Sequence, residues 1–349
     1  MPTMTHNSHP APFLSAVVCT RNRKANVVHT ARAVLAQDYP ALELLVMDQS
    51  DDDATADALA ELRAQDSRLR YFHLDLPGKP RALNRAWAEA RGRYLLLTDD
   101  DCEPDPQWAQ AMVEAFQADP RIGCVFGDVS AGPHDPEVGT VYANLIQTSH
   151  SLARVGEFWR MPGMRDFGLG ANMAVRADVL ALLGGWDPCI GPGAKFASGD
   201  DHDLTMRALL TGFAVYFCAE ARVVHYGFRT WEQASRDLER MAFGQGAAMA
   251  KYLRCGVIYP GPLRVLRHNT WLCLGRIARW RRPFGLAFTR HWLRGLLAGS
   301  RHPIDRRARS FRDVSRAESQ AYGERFAQVA LRAQQPSDAE ARAYSRVGD

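Results

Sequence analysis

Three consecutive aspartates, Asp99, Asp100 and Asp101, follow an apolar run at Tyr94–Thr98. Adjacent carboxylates repel one another unless a cation or strong hydrogen-bond donors hold them. At the end of a strand, two of them can reach a hard divalent ion, which prefers oxygen ligands and also binds phosphate oxygens. A solvated acidic turn is the simpler interpretation of three aspartates. Their position directly after a buried strand favours metal binding instead.

Further polar side chains lie where predicted strands end or helices begin. Asp48 follows the apolar run Leu42–Met47, where its carboxylate can accept a hydrogen bond from a nucleotide base or cap the next helix. Asp200 and Asp201 precede a predicted helix, and like charges at a helix start can be tuned for proton transfer. One of the two is therefore expected to accept the proton of an acceptor hydroxyl. His225 ends another apolar run, and a lone histidine is more often structural than a ligand.

Apolar runs alternate with helical patterns over the first two thirds of the chain. Strands are predicted at Leu14–Cys19, Leu42–Met47, Leu69–Leu74, Tyr94–Thr98, Ile122–Phe126, Asn172–Val175, Ala214–Phe217 and Val223–His225. This alternation indicates a mostly parallel α/β sheet, in which ligands bind beyond the carboxyl ends of the strands. The segment from His134 to Phe167 is predicted to cover the site as loop and short helix, and the pattern is helical from Trp231 onward.

The composition is that of a folded globular protein, with 46% hydrophobic and 23% charged residues among 349. Four regions are expected: a disordered lead-in at 1–12, a catalytic domain at 13–230, a basic amphipathic helical extension at 231–305 and a charged tail at 306–349. The seven cysteines never form a CxxC pair, which predicts neither a disulfide framework nor a zinc site. Without a recognisable signal peptide or a run of about 18 apolar residues, the chain is expected in the cytoplasm.

An arginine-rich block follows the predicted catalytic domain. Residues 262–310 contain twelve arginines, no lysine and a single acidic residue, Asp305. Phe288, Trp292 and Leu296 share one face of a predicted helix, with arginines at its edges. Such a helix suits peripheral binding to the anionic inner face of the cell membrane, where lipid-linked acceptors are presented. The alternative is a helical layer packed on the catalytic domain. Nucleic-acid binding is not expected, because no recognition motif accompanies the block.

Several of these segments together resemble glycosyltransferase family 2. The nucleotide-binding half of that family is similar to Val17–Arg23, Val46–Ser50 and Leu97–Asp101, and its acceptor half to Gly170–Arg176, Gly184–Asp187 and Gly199–Leu204. The resemblance covers roughly residues 13–228 in the family's order. It implies an A-type nucleotide-sugar fold, a single α/β domain of two abutted Rossmann-like halves with a mixed, mostly parallel sheet. A C-terminal helical extension is expected to follow that domain.

The resemblance also implies roles for individual residues. The nucleotide sugar is expected to contact Thr20, Arg21, Asp48, Arg81, Asp99 and Asp100. Asp101, the last aspartate of the family's DxD motif, and His225 are expected to bind a divalent cation, Mg²⁺ or Mn²⁺. Asp201 matches the second position of the family's Glu-Asp pair and is expected to be the general base. Asp200 stands where that pair usually has glutamate.

The acceptor is expected to contact Asn172, Trp186 and Asp200, with Trp159 as a further ring that can stack on a sugar. A tryptophan in a Gly-rich stretch can equally be a core anchor. The implied reaction moves one sugar from a nucleotide-diphosphate donor, with a UDP-sugar favoured, to a hydroxyl of a glycan or lipid-linked acceptor. It inverts the anomeric centre and belongs to bacterial-type polysaccharide or glycolipid assembly. The chain has no Gln-x-x-Arg-Trp motif, which processive synthases of the family carry, so transfer of a single sugar is favoured.

Three other functions compete with this interpretation. A sugar nucleotidyltransferase normally needs a Gly-rich basic loop after the first strand, and here that place holds Thr20–Lys24 without glycine. A nicotinamide dehydrogenase needs a GxGxxG motif at the same place, and the chain lacks it there. A non-catalytic sugar- or nucleotide-binding protein on the same fold has no need for both Asp101 and Asp201. Glycosyl transfer is therefore the preferred function.

Overall fold

The computed structural model describes residues 11–158, 168–257 and 286–313, together with five single helical positions between 263 and 274. Trp159, a predicted acceptor contact, lies outside these residues. The strands are β1 Leu14–Thr20, β2 Leu42–Asp48, β3 Leu69–His73, β4 Tyr94–Asp99, β5 Cys102–Pro104, β6 Ile122–Ala131, β7 Gly139–Val141, β8 His150–Leu152, β9 Asn172–Arg176, β10 Ala214–His225, β11 Phe228–Thr230, β12 Ile304–Asp305 and β13 Ser310–Phe311. The helices are α1 Lys24–Leu35, α2 Ala54–Gln65, α3 Lys79–Glu89, α4 Trp108–Ala118, α5 Val155–Phe158, α6 Ala177–Leu183, α7 Asp200–Leu210, α8 Trp231–Arg254 and α9 Leu286–Arg301.

Nine strands form one central sheet in the order β3-β2-β1-β4-β9-β6-β10-β5, with β8 paired to the first half of β10. β1, β2, β3 and β4 are mutually parallel, and the ladders through β9 give β6 and β10 the same direction. Only three strands of this sheet, β5, β8 and β9, run the opposite way. The predicted mixed, mostly parallel α/β sheet is therefore confirmed.

The apolar runs of the first half form strands because both faces of the sheet are covered. All seven residues of β2 and nearly all of β1 and β4 are buried, as expected for parallel strands packed between helix layers. The parallel register places Thr20 opposite Asp48 and Cys19 opposite Asp99. The polar residues that end β1, β2 and β4 consequently lie side by side at one edge.

The second half of the sheet departs from the sequence prediction in three places, one of which is β8, a strand within the segment 134–167 that was predicted as loop and short helix. The strands predicted at Ala214–Phe217 and Val223–His225 are two parts of β10, separated by an irregularity between Cys218 and Arg222. β5 was not predicted, because three residues ending in proline give no periodic signal. This short strand pairs antiparallel with the end of β10 and places Cys102 opposite His225.

The helices after β11 share a core with the sheet. α8 and α9 pack at backbone contact, because a Cβ at Gly246 would lie 2.0 Å from the carbonyl oxygen of Trp292, and one at Gly295 equally close to that of Phe243. Phe288 and Trp292 belong to the same buried cluster as β6 and β9 side chains. The hydrophobic core is therefore continuous across the boundary predicted at residue 230.

This packing corrects the predicted lipid-facing side of α9. Phe288 and Trp292 are buried in the protein, and Leu296 packs against the same cluster, so these side chains are not available to a membrane. The alternative of a helical layer packed on the domain describes this face correctly. No helix in the described part of the chain is long and apolar enough to cross a membrane.

Residues 302–313 are also anchored. β12 and β13 form a small hairpin in which Phe311 is 2% exposed. The backbone N–H of Phe311 donates to Asp187, and Asp313 pairs with Arg81 at 2.9 Å. The charged tail predicted from residue 306 therefore begins too early, since the packed chain extends through this hairpin.

A buried ion network holds α8 to the domain. The Nζ of Lys251, on α8, lies 2.8 Å from Oδ2 of Asp187 and also contacts Asp203 on α7. Asp203 in turn binds Nε of Arg207 at 2.9 Å, and Tyr252 donates its hydroxyl to the same carboxylate. All these charges are buried, so each depends on its partners for the solvation it has lost.

Replacing Lys251 with methionine is expected to lower the free energy of unfolding by about 3–5 kcal/mol, because two buried carboxylates lose a shared cation. Urea denaturation measures the change. Arg236→Met on the same helix is the matched control, since its pair with Glu232 is exposed and the loss should stay below about 1 kcal/mol. Equal midpoints for Lys251→Met and the control would show that the network does not hold α8.

Candidate active site

The candidate site lies at the edge where the parallel strands end. Asp99 ends β4, and Asp100 and Asp101 form the turn that leads into β5. His225 ends β10, and the backbone N–H of the next residue donates to the carbonyl oxygen of Asp101 at 2.8 Å. α7 begins with Asp200 and Asp201. The sheet and this helix start thus gather most of the predicted site residues.

Asp99 forms an ion pair with Lys79, the first residue of α3. The side chain of Asp99 is 32% exposed, so this carboxylate borders the cleft. Burial alone would lower the pKa of Lys79, but the carboxylates of Asp99 and Asp200 outweigh it and raise the pKa. Lys79 is therefore a fixed positive charge between the two acidic groups of the site.

Asp100 and Asp101 are almost fully buried and share the guanidinium of Arg23. Nη1 of Arg23 lies 2.9 Å from Oδ1 of Asp100 and 3.0 Å from Oδ2 of Asp101. Thr20 donates its hydroxyl to the other oxygen of Asp100 at 2.7 Å. Burial raises the pKa of Asp100, although Arg23 and Thr20 oppose the shift. Thr20 and Asp100, both predicted to contact the nucleotide sugar, are therefore hydrogen-bonded to each other.

Asp101 also faces His225, with 3.2 Å between Oδ1 and Nε2. Nδ1 of His225 lies 2.8 Å from the carbonyl oxygen of Tyr142, which fixes the ring and leaves Nε2 facing the carboxylate. Burial opposes ionisation of both groups, but their mutual contact lowers the pKa of Asp101 and raises that of His225. A carboxylate oxygen and an oriented imidazole nitrogen fit a divalent cation.

Cys102 is the third group within reach of such a cation. Its sulfur lies within 4.8 Å of ligand atoms of Asp101 and His225. The thiolate is the form that binds metal, and burial raises the pKa of Cys102 well above its ordinary value. Asp101, Cys102 and His225 are thus the three groups that could hold a divalent ion here, and the assignment of Asp101 with His225 as its ligands stays a prediction.

Asp200 and Asp201 have different surroundings. Oδ2 of Asp201 accepts the backbone N–H of Gly170 at 3.0 Å, and Oδ1 accepts that of His202 at 2.7 Å. Asp200 lies toward Lys79 and Asp99, and burial together with the adjacent Asp201 raises its pKa to about 7. Asp201 is thus oriented by two backbone donors, whereas Asp200 is poised between its two protonation states near neutral pH.

Asp48 is less accessible than its predicted contact with the nucleotide sugar requires. Asp48 is fully buried and accepts hydrogen bonds from the backbone N–H of Ser50 at 2.9 Å and the hydroxyl of Tyr71 at 2.7 Å. Arg21 pairs with Asp51 at 3.0 Å on the surface. The burial of Asp48 contradicts a direct contact with a base in this conformation, and its hydrogen bonds instead shape the loop after β2.

Two further predictions are corrected by burial. Asn172 is fully buried and bonds Nε1 of Trp108 and two carbonyl oxygens, so it joins strands. Trp186 is a core residue whose backbone N–H and carbonyl oxygen both bond the amide of Asn84. Neither can contact an acceptor from these positions. Arg81 pairs with Asp313 at 2.9 Å, and its expected contact with the donor stays a prediction.

Two basic residues of the site, Lys79 and Arg23, were not assigned a role from the sequence. Lys79 stands two residues before Arg81, and successive helical residues rotate by about 100°, so the two side chains leave α3 on opposite sides. The start of the helix at Lys79 was the signal that could have distinguished them. Arg23 is the N-cap residue directly before α1, which places it beside the strand ends.

Comparison with protein families agrees with this geometry. The model described as Glycosyl transferase family 2 matches residues 15–165, and the model described as Glycosyl transferase family group 2 matches residues 94–303. The probable glycosyltransferase YdaM of Bacillus subtilis is 24% identical over 259 residues, which are 72% of this chain and 60% of YdaM. A poly-beta-1,6-N-acetyl-D-glucosamine synthase of Staphylococcus epidermidis is 26% identical over 40% of this chain and 36% of the synthase. The chain thus spans less than two thirds of these relatives.

Solved structures share the fold. The mannosyltransferase PcManGT of Pyrobaculum calidifontis, in complex with GDP-Man and Mn²⁺, superposes with a TM-score of 0.53 at 18% identity, over 93% of this chain and 91% of that one. TarS 1–349 of S. aureus in complex with UDP-GlcNAc gives a TM-score of 0.50 at 18% identity, over 68% and 66% of the two chains. Since the second family model covers more than half of the sequence, the chain belongs to glycosyltransferase family 2.

Proposed function

We propose that the protein transfers a single sugar from a nucleotide-diphosphate donor to an acceptor hydroxyl and inverts the anomeric centre. The observation that carries this proposal is the position of Lys79 between the aspartates after β4 and the pair that begins α7. One acidic group is suited to the donor diphosphate through a cation, and the other to a hydroxyl. A direct displacement needs one acidic group to hold the leaving diphosphate through a cation and a second one to accept the proton of the attacking hydroxyl.

The donor is proposed to be a nucleoside diphosphate sugar. The neighbouring structures contain UDP-GlcNAc or GDP-Man, which supports this class without deciding the base or the sugar. Asp101 and His225 would hold a divalent cation, Mg²⁺ or Mn²⁺, which would neutralise charge on the leaving diphosphate. Lys79 adds a fixed positive charge on the other side of Asp99.

The proposed base is Asp201. Its two backbone hydrogen bonds orient the carboxylate, as a group that must receive a proton from a fixed direction requires. As the acceptor oxygen forms its bond to the anomeric carbon, its proton passes to Asp201. The bond from that carbon to the diphosphate oxygen breaks, and the nucleoside diphosphate leaves. No covalent sugar–enzyme intermediate is needed, and one displacement gives inversion.

The proposed setting is the assembly of a polysaccharide or glycolipid. The S. epidermidis relative is named as a polysaccharide synthase, which supports this class of product. The same comparisons favour neither the nucleotidyltransferase nor the non-catalytic binding protein. The absence of a Gln-x-x-Arg-Trp motif from the sequence supports transfer of one sugar rather than polymerisation.

We also propose that the outer face of α9 contacts an anionic membrane. Leu286, Leu293 and Leu297 are all more than half exposed along this face, and Arg290 and Arg294 lie between them. This surface is opposite the buried Phe288 and Trp292, so it replaces the face that the sequence suggested. Exposed leucines with interspersed arginines suit shallow binding to anionic lipid, and a lipid-linked acceptor would be presented there.

Asp201→Asn and Asp101→Asn are expected to separate proton transfer from donor binding. The first should lose most turnover, by about 10²–10⁴-fold for a lost general base, and keep its affinity for nucleoside diphosphate. The second should lose that affinity together with its dependence on Mn²⁺. Calorimetry and turnover of a radiolabelled donor measure both. A rate for Asp201→Asn above about a tenth of the wild-type rate would show that another residue is the base, with Asp200 as the next candidate.

Asp200→Asn is expected to stabilise the protein at alkaline pH. The pKa of Asp200 is about 7 in the folded state against an ordinary value of 3.8, so the folded state binds more protons between these values. Stability from this group is therefore lost as pH rises, and the loss is complete above the folded pKa. The variant should melt above wild type at about pH 8 and close to it at about pH 4.5. Asp75→Asn is the control, because Asp75 is exposed, and its melting temperature relative to wild type should not change with pH. If the difference between Asp200→Asn and wild type were also independent of pH, the raised pKa of Asp200 would be disproved.

Co-sedimentation with vesicles tests the outer face of α9. Wild type should bind vesicles containing anionic lipid and release them in high salt, because each basic residue near the surface contributes up to about 1 kcal/mol. Arg290→Glu/Arg294→Glu should bind much less. Arg32→Glu/Arg63→Glu, with the same charge change at exposed positions of α1 and α2, should bind as wild type does. Equal binding to neutral and anionic vesicles would contradict the proposal.

A further inference from the structure

Arg23 lies between Asp101, a proposed metal ligand, and the adjacent carboxylate of Asp100. Its Nη1 lies 2.9 Å from Asp100 and 3.0 Å from Asp101, and both carboxylates are almost completely buried. The Arg23 side chain itself is 40% exposed. Its backbone is anchored, because its carbonyl oxygen accepts the N–H of Val27 at the start of α1. The guanidinium can therefore move toward the cleft while the loop stays in place.

The two oxygens of Asp101 have different partners. Oδ1 faces Nε2 of His225, and Oδ2 faces Arg23. The carboxylate proposed to bind the divalent cation is thus already shared with a permanent positive charge. Asp99 is matched in the same way by Lys79. The acidic group after β4 is therefore compensated by side chains of this chain before any ion or donor is bound.

We propose that Arg23 is a resident counter-cation that couples divalent-cation binding to nucleoside-diphosphate binding. This inference rests on the proposed function. A divalent ion that enters alone must approach the guanidinium at a few ångströms, and like charges at that distance repel strongly in a partly buried site. The free enzyme therefore binds the metal weakly.

The donor diphosphate removes this repulsion. Its negatively charged oxygens would lie between the metal ion and Arg23 and reduce the repulsion between them. A guanidinium also forms strong paired hydrogen bonds with phosphate oxygens. Arg23 turns from Asp100 and Asp101 to the diphosphate, and Asp101 becomes free to bind the metal. Metal and donor each strengthen the binding of the other by the same factor, because such coupling is reciprocal.

A purely structural role for Arg23 leads to a different expectation. If the guanidinium only held the aspartates in place, its loss would disorder the metal ligands and weaken Mn²⁺ binding. If it is a competing cation, its loss opens the site and strengthens Mn²⁺ binding in the absence of nucleotide. The direction of the change in metal affinity therefore distinguishes the two roles without any measurement of turnover.

The test measures free Mn²⁺ by electron paramagnetic resonance during titration of the full chain, with and without UDP or GDP. In wild type, nucleotide should tighten Mn²⁺ binding by about tenfold or more, within the usual range of coupling between sites. Arg23→Gln without nucleotide should bind Mn²⁺ about tenfold more tightly than wild type, and nucleotide should then add little. Arg23→Lys keeps the charge and should stay close to wild type.

Arg32→Gln is the matched control, because Arg32 is an exposed arginine of the same helix. It should titrate as wild type does. Unchanged or weaker Mn²⁺ binding by folded Arg23→Gln would overturn the proposal, as would a wild-type Mn²⁺ affinity that nucleotide does not change. Both outcomes leave the transferase function intact. If no variant bound Mn²⁺ under any condition, the proposed function would lose its metal. The proposed coupling through Arg23 would then be wrong as well.

Discussion

The second half of the structure depends on the ion pairs of the buried Lys251 ammonium with two carboxylates. This ammonium lies between Asp187 and Asp203, and all three side chains are inaccessible to solvent. Burial opposes the ionised form of Asp203, yet Lys251 and Arg207 lower its pKa. An ion removed from water loses several kcal/mol of solvation, which close partners must offset. The three segments that carry these charges therefore have to dock together.

This network fixes elements that the strand ladders do not reach. Asp203 lies two residues after Asp201, so its pairing with Lys251 sets the position of the first turn of α7. Arg207, one turn later, donates to the carbonyl oxygens of Leu183 and Gly185 and holds the end of α6. Asp187 also accepts the N–H of Phe311. The carboxylate that we propose as base is thus held by α8 and by the C-terminal hairpin, both outside the region where the family motifs lie.

The sequence predicted the first half of the fold well because its signals there are local. The runs at Leu14–Cys19 and Tyr94–Thr98 end within one residue of the observed strands, since a strand buried on both faces must be apolar throughout. The three aspartates and His225 were likewise located by their places at strand ends. The contact of Asp101 with His225 was implied only by the family resemblance and not by local patterns, because it depends on β5, a three-residue strand without a periodic signal.

The errors concern residues whose role depends on which way a side chain points. Trp186 and Asn172 stand in family motifs, but the motifs give no orientation, and both side chains face the interior. Phe288 and Trp292 form an apolar helical stripe, and such a stripe has the same periodicity against a protein as against a membrane. α8 decides the outcome, because its Gly246, together with Gly295 and Gly299 of α9, lets the two helices approach to backbone contact. Only tertiary packing carries this information.

Lys79 shows how closely the two halves of the site are joined. Its side chain pairs with Asp99 in the donor half, and its backbone N–H donates to the carbonyl oxygen of Pro192 at 2.8 Å in the loop that leads to α7. A donor diphosphate must approach several carboxylates, so a positive charge at this boundary lowers the electrostatic cost of its entry. Because the backbone of Lys79 is hydrogen-bonded to this loop, a movement of the loop would also move the Lys79 ammonium. Lys79 therefore joins the strand ends of the proposed donor site to the loop that precedes α7.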